Sequence, residues 1–230
     1  LSAVEAIGRI PDAYFQAIGS GTGTIAAWEN NLRLIEDGRF GTHKMKLYPS
    51  QNDPFTIMYD SWKLHSRELV PMSPEEARKA ASIIDAKVLS NRKPPYPIAG
   101  GLFDALEDAG GDIYKVTNEE LHQWQEKFIK LEGIDIHNAA GVAVASLAMA
   151  VADGTVGKDD VIMLNITGAG EDLAKSEGEI FYAEPHLVLD PSLPEESLME
   201  KLNGKNVKYI LLTHGHFDHM CGAKMVQDNT

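Results

Sequence analysis

Pro11-Asp12-Ala13-Tyr14-Phe15-Gln16-Ala17-Ile18-Gly19-Ser20-Gly21-Thr22-Gly23-Thr24-Ile25-Ala26-Ala27-Trp28 changes character twice within eighteen residues. Ala13 to Ile18 is a short apolar run rich in aromatic and β-branched types, bounded by Pro11 and Gly19, and reads as a strand. From Thr24 onward the apolar residues Ile25, Trp28, Leu32 and Ile35 recur at helical spacing until Gly38. Between strand and helix stand three glycines, Gly19, Gly21 and Gly23. They let the backbone turn left-handed and come close to a ligand. Amides at a helix N-terminus attract an anion, and the hydroxyls of Ser20, Thr22 and Thr24 add donors. This is the chemistry a phosphate group needs. No Gly-Lys-Ser/Thr follows, and Thr24 stands where the third glycine of a dinucleotide fingerprint would be. A tight strand-to-helix turn with no ligand accounts for the same local residues.

Outward from this loop the pattern repeats. Lys46-Leu47-Tyr48 reads as the next strand. Ser73-Pro74-Glu75-Glu76 is a helix start, with a capping hydroxyl, proline in the first turn and two acids at the positive end of the dipole. Arg92 to Gly101 holds three prolines and two glycines and reads as a loop. Thr117-Asn118-Glu119-Glu120 is a capping box for a helix to about Leu131. Ile136 to Ala152 is apolar on most sides and reads as a buried helix. Val161 to Ile166 is a strand that enters Thr167-Gly168-Ala169-Gly170. Strands alternating with helices predict an α/β fold, three layers around a mainly parallel sheet. A boundary near Pro191 to Glu195 divides the chain into 1–190 and 191–230, the second part opening with a short helix, Glu196 to Leu202, and a strand, Val207 to Leu212.

The formal net charge of −13 argues against nucleic acid or an anionic membrane as partner, since both require basic patches. A single cysteine, Cys221, forms no intrachain disulfide and suits a reducing cytoplasm. The longest apolar stretch, Ala139 to Ala152, falls short of the roughly 18 residues a bilayer span needs. The chain opens at Leu1 in what reads as the middle of a helix and stops at Thr230 just after a strong motif, so both ends look cut.

Three segments together resemble the threonine-synthase group of pyridoxal-phosphate-dependent enzymes, of fold type II. They are Pro11 to Trp28; Glu132-Gly133-Ile134 leading into Ala139-Ala140-Gly141-Val142-Ala143; and Asn165-Ile166-Thr167-Gly168-Ala169-Gly170. Arg92-Lys93-Pro94-Pro95-Tyr96 with Gly100-Gly101, and Gly111-Asp112-Ile113-Tyr114 with Val116-Thr117, are similar to the cysteate synthases in particular. The resemblance covers roughly residues 1 to 190. It implies that Gly19, Ser20, Gly21, Thr22 and Gly23 hold the phosphate of pyridoxal phosphate, and that Thr167 sits at its pyridine nitrogen. It implies a β-replacement in which O-phosphoserine loses phosphate and sulfite adds to give cysteate, for coenzyme M biosynthesis. It implies also a cofactor-binding lysine, held as a Schiff base and lying well upstream of the phosphate loop. No lysine of this chain has a comparable context, so the chain alone is expected to be inactive and no catalytic residue is assigned. Relatives of this fold type often dimerise, which makes a homodimer an expectation by analogy.

Thr213-His214-Gly215-His216-Phe217-Asp218-His219 follows the apolar run Val207 to Leu212. Imidazoles at alternate positions followed by Asp-His can serve two neighbouring metal ions from one loop. His214 and His216 would take one ion, and Asp218 and His219 the other, with zinc the expected metal. The pattern resembles the metallo-β-lactamase superfamily, which implies a metal-activated water. Leu187-Val188-Leu189-Asp190-Pro191 resembles that family's approach to the motif. The family's remaining ligands have no counterpart among His43, His65, His122, His137 and His186, so hydrolysis is not expected.

Overall fold

The computed structural model describes residues 1–170 and the backbone of two short strands, Leu187–Leu189 and Tyr209–Leu211. The chain divides into two compact units, Leu1–Leu173 and Ala174–Thr230. In the first, four strands lie parallel in the order β3-β2-β1-β4: β1 (Ala13–Ala17), β2 (Lys46–Asn52), β3 (Tyr114–Val116) and β4 (Ile162–Leu164). The central pair is in register from Ala13 opposite Lys46 to Ala17 opposite Ser50.

The two faces of the sheet follow from alternation along β1. Tyr14 and Ile18 join Leu47 in a cluster with Leu34 of α2 (Thr22–Asp37) and Leu102 and Leu106 of α5 (Leu102–Ala109). Ala13, Phe15 and Ala17 face the other way, towards Val142, Ala143 and Ala150 of α7 (Asn138–Ala152). Phe15 stacks on Tyr48 with ring centroids 4.9 Å apart. Outside α7 lies α6 (Asn118–Glu132). The small residues of α7 allow close approach: a Cβ at Gly141 would stand 3.3 Å from the Cβ of Gln125. The result is the expected three-layer α/β arrangement around a parallel sheet.

Local signals set most element ends. The capping boxes at Ser73 and Thr117 form, each hydroxyl accepting from the amide of Glu76 or Glu120 while that glutamate accepts from the cap amide. Ser73 opens α4 (Pro74–Ile83) and Thr117 opens α6. Three further elements complete the unit: α1 (Ser2–Ile7), α3 (Ile57–Lys63) and a single 3-10 turn, Lys87–Leu89. β2 runs on through Pro49 to Asn52, four residues past the expected Lys46-Leu47-Tyr48. Among the described residues no helix is long and apolar enough to cross a membrane.

In the second unit β5 (Leu187–Leu189) and β6 (Tyr209–Leu211) pair in parallel, Leu187 opposite Tyr209 and Leu189 opposite Leu211. β6 falls within the strand expected over Val207 to Leu212. The expected boundary at Pro191 to Glu195 and the expected helix Glu196 to Leu202 lie outside the described residues.

Candidate functional site

The glycine loop leaves β1 at its C-terminal end. Ile18 still donates to the carbonyl of Ser50 at 2.8 Å, and the chain then turns through Gly19 and Ser20 to the cap residue Gly21. Gly21 has φ +81°, a left-handed conformation that favours glycine. At Gly19 the constraint is space: a Cβ there would lie 2.8 Å from the carbonyl oxygen of Val88 and 3.3 Å from the Cα of Leu89. At Gly23 it would lie 2.5 Å from Nε2 of Gln16. The loop is therefore pressed between the turn at Lys87–Leu89 and the side chain of Gln16.

Its electrostatics differ from those of the other helix starts. α4 and α6 satisfy their first amides with their own glutamates and carry acids in the first turn. α2 starts from Gly21, which has no side chain to cap with, and carries no acid in its first turn; one long bond, from the Thr22 amide to Ser20 Oγ at 3.4 Å, covers the first of its amides. Its positive end is left for something else to satisfy. The Ser20 and Thr22 hydroxyls lie 2.9 Å apart. Thr24 is fully buried, and its Oγ1 has no hydrogen-bond partner among the described residues. Buried hydroxyls are rarely left so. A bare helix start, a glycine cradle and an orphaned hydroxyl fit the phosphate of pyridoxal phosphate.

β4 runs parallel to β1, so Thr167, three residues past Leu164, leaves the sheet at the same edge as the glycine loop. Asn165 donates its amide N–H to the carbonyl of Phe15 at 2.9 Å. The sheet order changes direction here, β2 and β3 to one side of β1 and β4 to the other. In open α/β sheets ligands bind outside the strand ends at such a switch point. Thr167 is exposed. Its turn is clipped to the start of α7: His137 donates its amide to Gly168 at 3.0 Å, and Gly170 donates to Asp135 at 3.0 Å. The His137 ring caps α7, Nδ1 accepting from Ala139 at 3.1 Å.

Behind the glycine loop a buried hub fixes the turn at Lys87–Leu89. Asn52, fully buried at the end of β2, accepts from the amides of Asp85 (3.1 Å) and Ala86 (3.0 Å). Its own amide group donates to the carbonyl of Val116 (2.9 Å) and to Oδ1 of Asn118 (3.0 Å). A polar cavity of about 390 Å³ lies beside this turn, lined among others by Asp85, Lys87, Val88, His137 and Gly170. Lys87 opens the turn, and its Nζ donates to the carbonyls of Ala81 (3.1 Å) and Ser82 (2.9 Å).

The fold thus brings Gly19, Ser20, Gly21, Thr22 and Gly23 together in one loop and places Thr167 at the same sheet edge. The sequence reading missed Gln16, Asn52 and His137. Only Gln16 left a signal, an amide at a strand position between two apolar neighbours on its own face, Tyr14 and Ile18. His214, His216, Asp218 and His219 lie outside the described residues. Among the described residues no group of three or more His, Cys, Asp or Glu side chains could hold a metal ion.

Comparison with known proteins agrees with this geometry. Residues 1–168 match the family described as pyridoxal-phosphate dependent enzyme, and residues 180–230 match the metallo-beta-lactamase superfamily. Cysteate synthase of Methanosarcina acetivorans is 48% identical over 200 residues, 86% of this chain and 48% of that protein. Cysteate synthase of Methanoregula boonei is 44% identical over 204 residues, 88% of this chain and 48% of that protein. The chain spans about half the length of the curated relatives it matches. Among solved structures, a threonine deaminase from T.th. superposes with a TM-score of 0.53 at 12% identity, covering 74% of this chain and 52% of that one. Serine racemase from Dictyostelium discoideum gives 0.50 at 12% identity, over 73% and 48%. At such identities the structural likeness speaks for the fold alone, which is that of these enzymes. With the family matched over residues 1–168 and the fold in agreement, the chain belongs to the pyridoxal-phosphate-dependent enzymes.

Proposed function

We propose that the chain forms the phosphate- and ring-holding portion of an enzyme that makes cysteate from O-phosphoserine and sulfite. The observation that carries the reading is the start of α2, which alone among the described α-helices lacks both a cap from its N-cap residue and an acid in the first turn. The identity to cysteate synthases over most of the chain supports the substrate pair. When bound, pyridoxal phosphate supplies the electron sink for β-replacement. The chain's own part is to bind and orient. Amides of Gly19 to Gly23 and the hydroxyls of Ser20 and Thr22 hold the phosphate. Thr167 offers a neutral hydroxyl to the ring nitrogen and so leaves the ring less electron-withdrawing than a carboxylate would. Lys87 is committed to two carbonyls at the end of α4, and the resemblance to the threonine-synthase group implies that the lysine engaging the cofactor aldehyde lies upstream of the phosphate loop.

Titration of the purified chain with pyridoxal phosphate, read by absorbance, is expected to show one site that inorganic phosphate displaces, with no adduct after borohydride. Binding that phosphate does not displace would remove the cradle at Gly19 to Gly23. A borohydride-trapped lysine would overturn the assignment of the lysine elsewhere.

For residues 180–230 the His-x-His-x-Asp-His spacing and the superfamily match support zinc at His214, His216, Asp218 and His219. Metal analysis after dialysis is expected to find zinc that is lost in His214→Ala/His216→Ala. Metal-free protein, or zinc retained by that variant, would refute it.

A further inference from the structure

The loop of α2 has no cap of its own, yet its position is set on one side by a side chain that no phosphate would touch first. Gln16 stands three residues before Gly19 on the β1 face that looks towards α2. Its amide occupies the space a side chain at Gly23 would need, within 2.5 Å for Nε2 and 2.6 Å for Oε1 of an ideal Cβ. That amide is itself oriented. Tyr14 donates its hydroxyl to Gln16 Oε1 at 2.8 Å, and Asn165 donates its side-chain amide to the Tyr14 hydroxyl at 2.9 Å. Asn165 lies two residues before Thr167. A directed line of donors therefore runs from the end of β4 to Gln16 on β1, and the Gln16 amide packs against Gly23 in the first turn of α2.

We propose that Gln16, held by Tyr14 and Asn165, is a positioning residue that ties the glycine loop to the strand end carrying Thr167. The inference rests on the cofactor reading above. Two backbone segments that hold the phosphate and the ring nitrogen of one small molecule must keep their spacing within the reach of its short arm, or each bound group misplaces the other. Backbone pairing of β1 with β4 stops at Phe15 and Asn165, short of both segments. The side-chain line continues beyond it. Burial pushes the Tyr14 phenol up from its ordinary value, while the hydrogen bond from Asn165 pulls the other way; the group stays protonated at neutral pH and can donate to Gln16.

The test compares the intact chain with Tyr14→Phe, Gln16→Met and the double variant. Two quantities are read: the backbone amide resonances of Gly21 and Gly23 without ligand, and the affinities for pyridoxal phosphate and for pyridoxal, which lacks the phosphate. Each single variant is expected to shift the Gly23 resonance and to weaken pyridoxal phosphate a few fold, roughly the scale of one net hydrogen bond. Pyridoxal should change little. The double variant should be no worse than the stronger single one, because both break one line. Gln16→Glu keeps the acceptor for Tyr14 and should restore the Gly23 resonance once its carboxyl is protonated, at a pH below about 4. An unmoved Gly23 resonance overturns the inference, and so does equal weakening of both ligands. Should the parent chain bind neither ligand, the cofactor reading fails; the Gly23 resonance then decides the positioning role alone, shifted in support and unshifted against.

Discussion

Gly19→Ala is expected to weaken binding of pyridoxal phosphate by at least about a hundredfold, or about 2.8 kcal/mol. The new methyl group would meet the Val88 carbonyl at 2.8 Å and the Cα of Leu89 at 3.3 Å. Both are backbone atoms of a turn pinned by Asn52, so neither can swing aside as a side-chain tip would. The loop must move instead, and its amides leave the positions that a phosphate requires. Ser20→Ala is the control. It removes one hydroxyl from an exposed pair and should cost only a few fold, roughly one net hydrogen bond. Calorimetric titration of both variants checks the contrast, with thermal melts to separate binding from folding. Binding within threefold of the parent by Gly19→Ala would mean that the loop is not the phosphate site.

Asn52→Leu is expected to destabilise the first unit by about 1–3 kcal/mol, the cost of one buried polar group left unsatisfied. The substitution keeps the branched shape and the number of heavy atoms and removes four hydrogen bonds. The amide of Ala86 then loses its acceptor. The amide of Asp85 keeps Oδ1 of Asn118 at 3.0 Å, and the Val116 carbonyl keeps the amide of Asp53 at 2.8 Å. Since the segment at Asp85 and Ala86 leads into the turn behind Gly19, the variant should also loosen phosphate binding. Denaturant unfolding gives the first effect. If stability falls while affinity stays at the parent value, the hub does not support the loop.

Much of this arrangement could be read from the residues, for reasons that differ by element. β1 and α2 announce themselves because alternation, glycines and a 3.6-residue period all change within one stretch. α4 and α6 are marked by reciprocal caps written in four consecutive residues. α3 and α5 were not legible. α3 is seven residues long and its start is capped from a distance, with Gln51 Oε1 accepting from the amides of Met58 and Tyr59. α5 begins after Gly101, which offers no side-chain cap, at the end of a proline-rich loop. β3 is three residues whose pairing with β2 spans some sixty positions of sequence. The loop residues of the candidate site were visible as a motif. The hub at Asn52 was not, since a buried asparagine looks like a surface one until its four partners are assembled.

The bare start of α2 has a thermodynamic consequence. A helix that caps itself is equally stable with or without a ligand, whereas α2 draws part of its stability from whatever fills its N-terminus. Occupancy and folding are then linked: ligand at a hundred times its dissociation constant adds about 2.7 kcal/mol to the folded state. For a domain whose whole margin is about 5–15 kcal/mol, that is a sizeable share. With the phosphate of pyridoxal phosphate seated at Gly19 to Gly23 as proposed, the loaded chain would outlast the empty one in thermal unfolding.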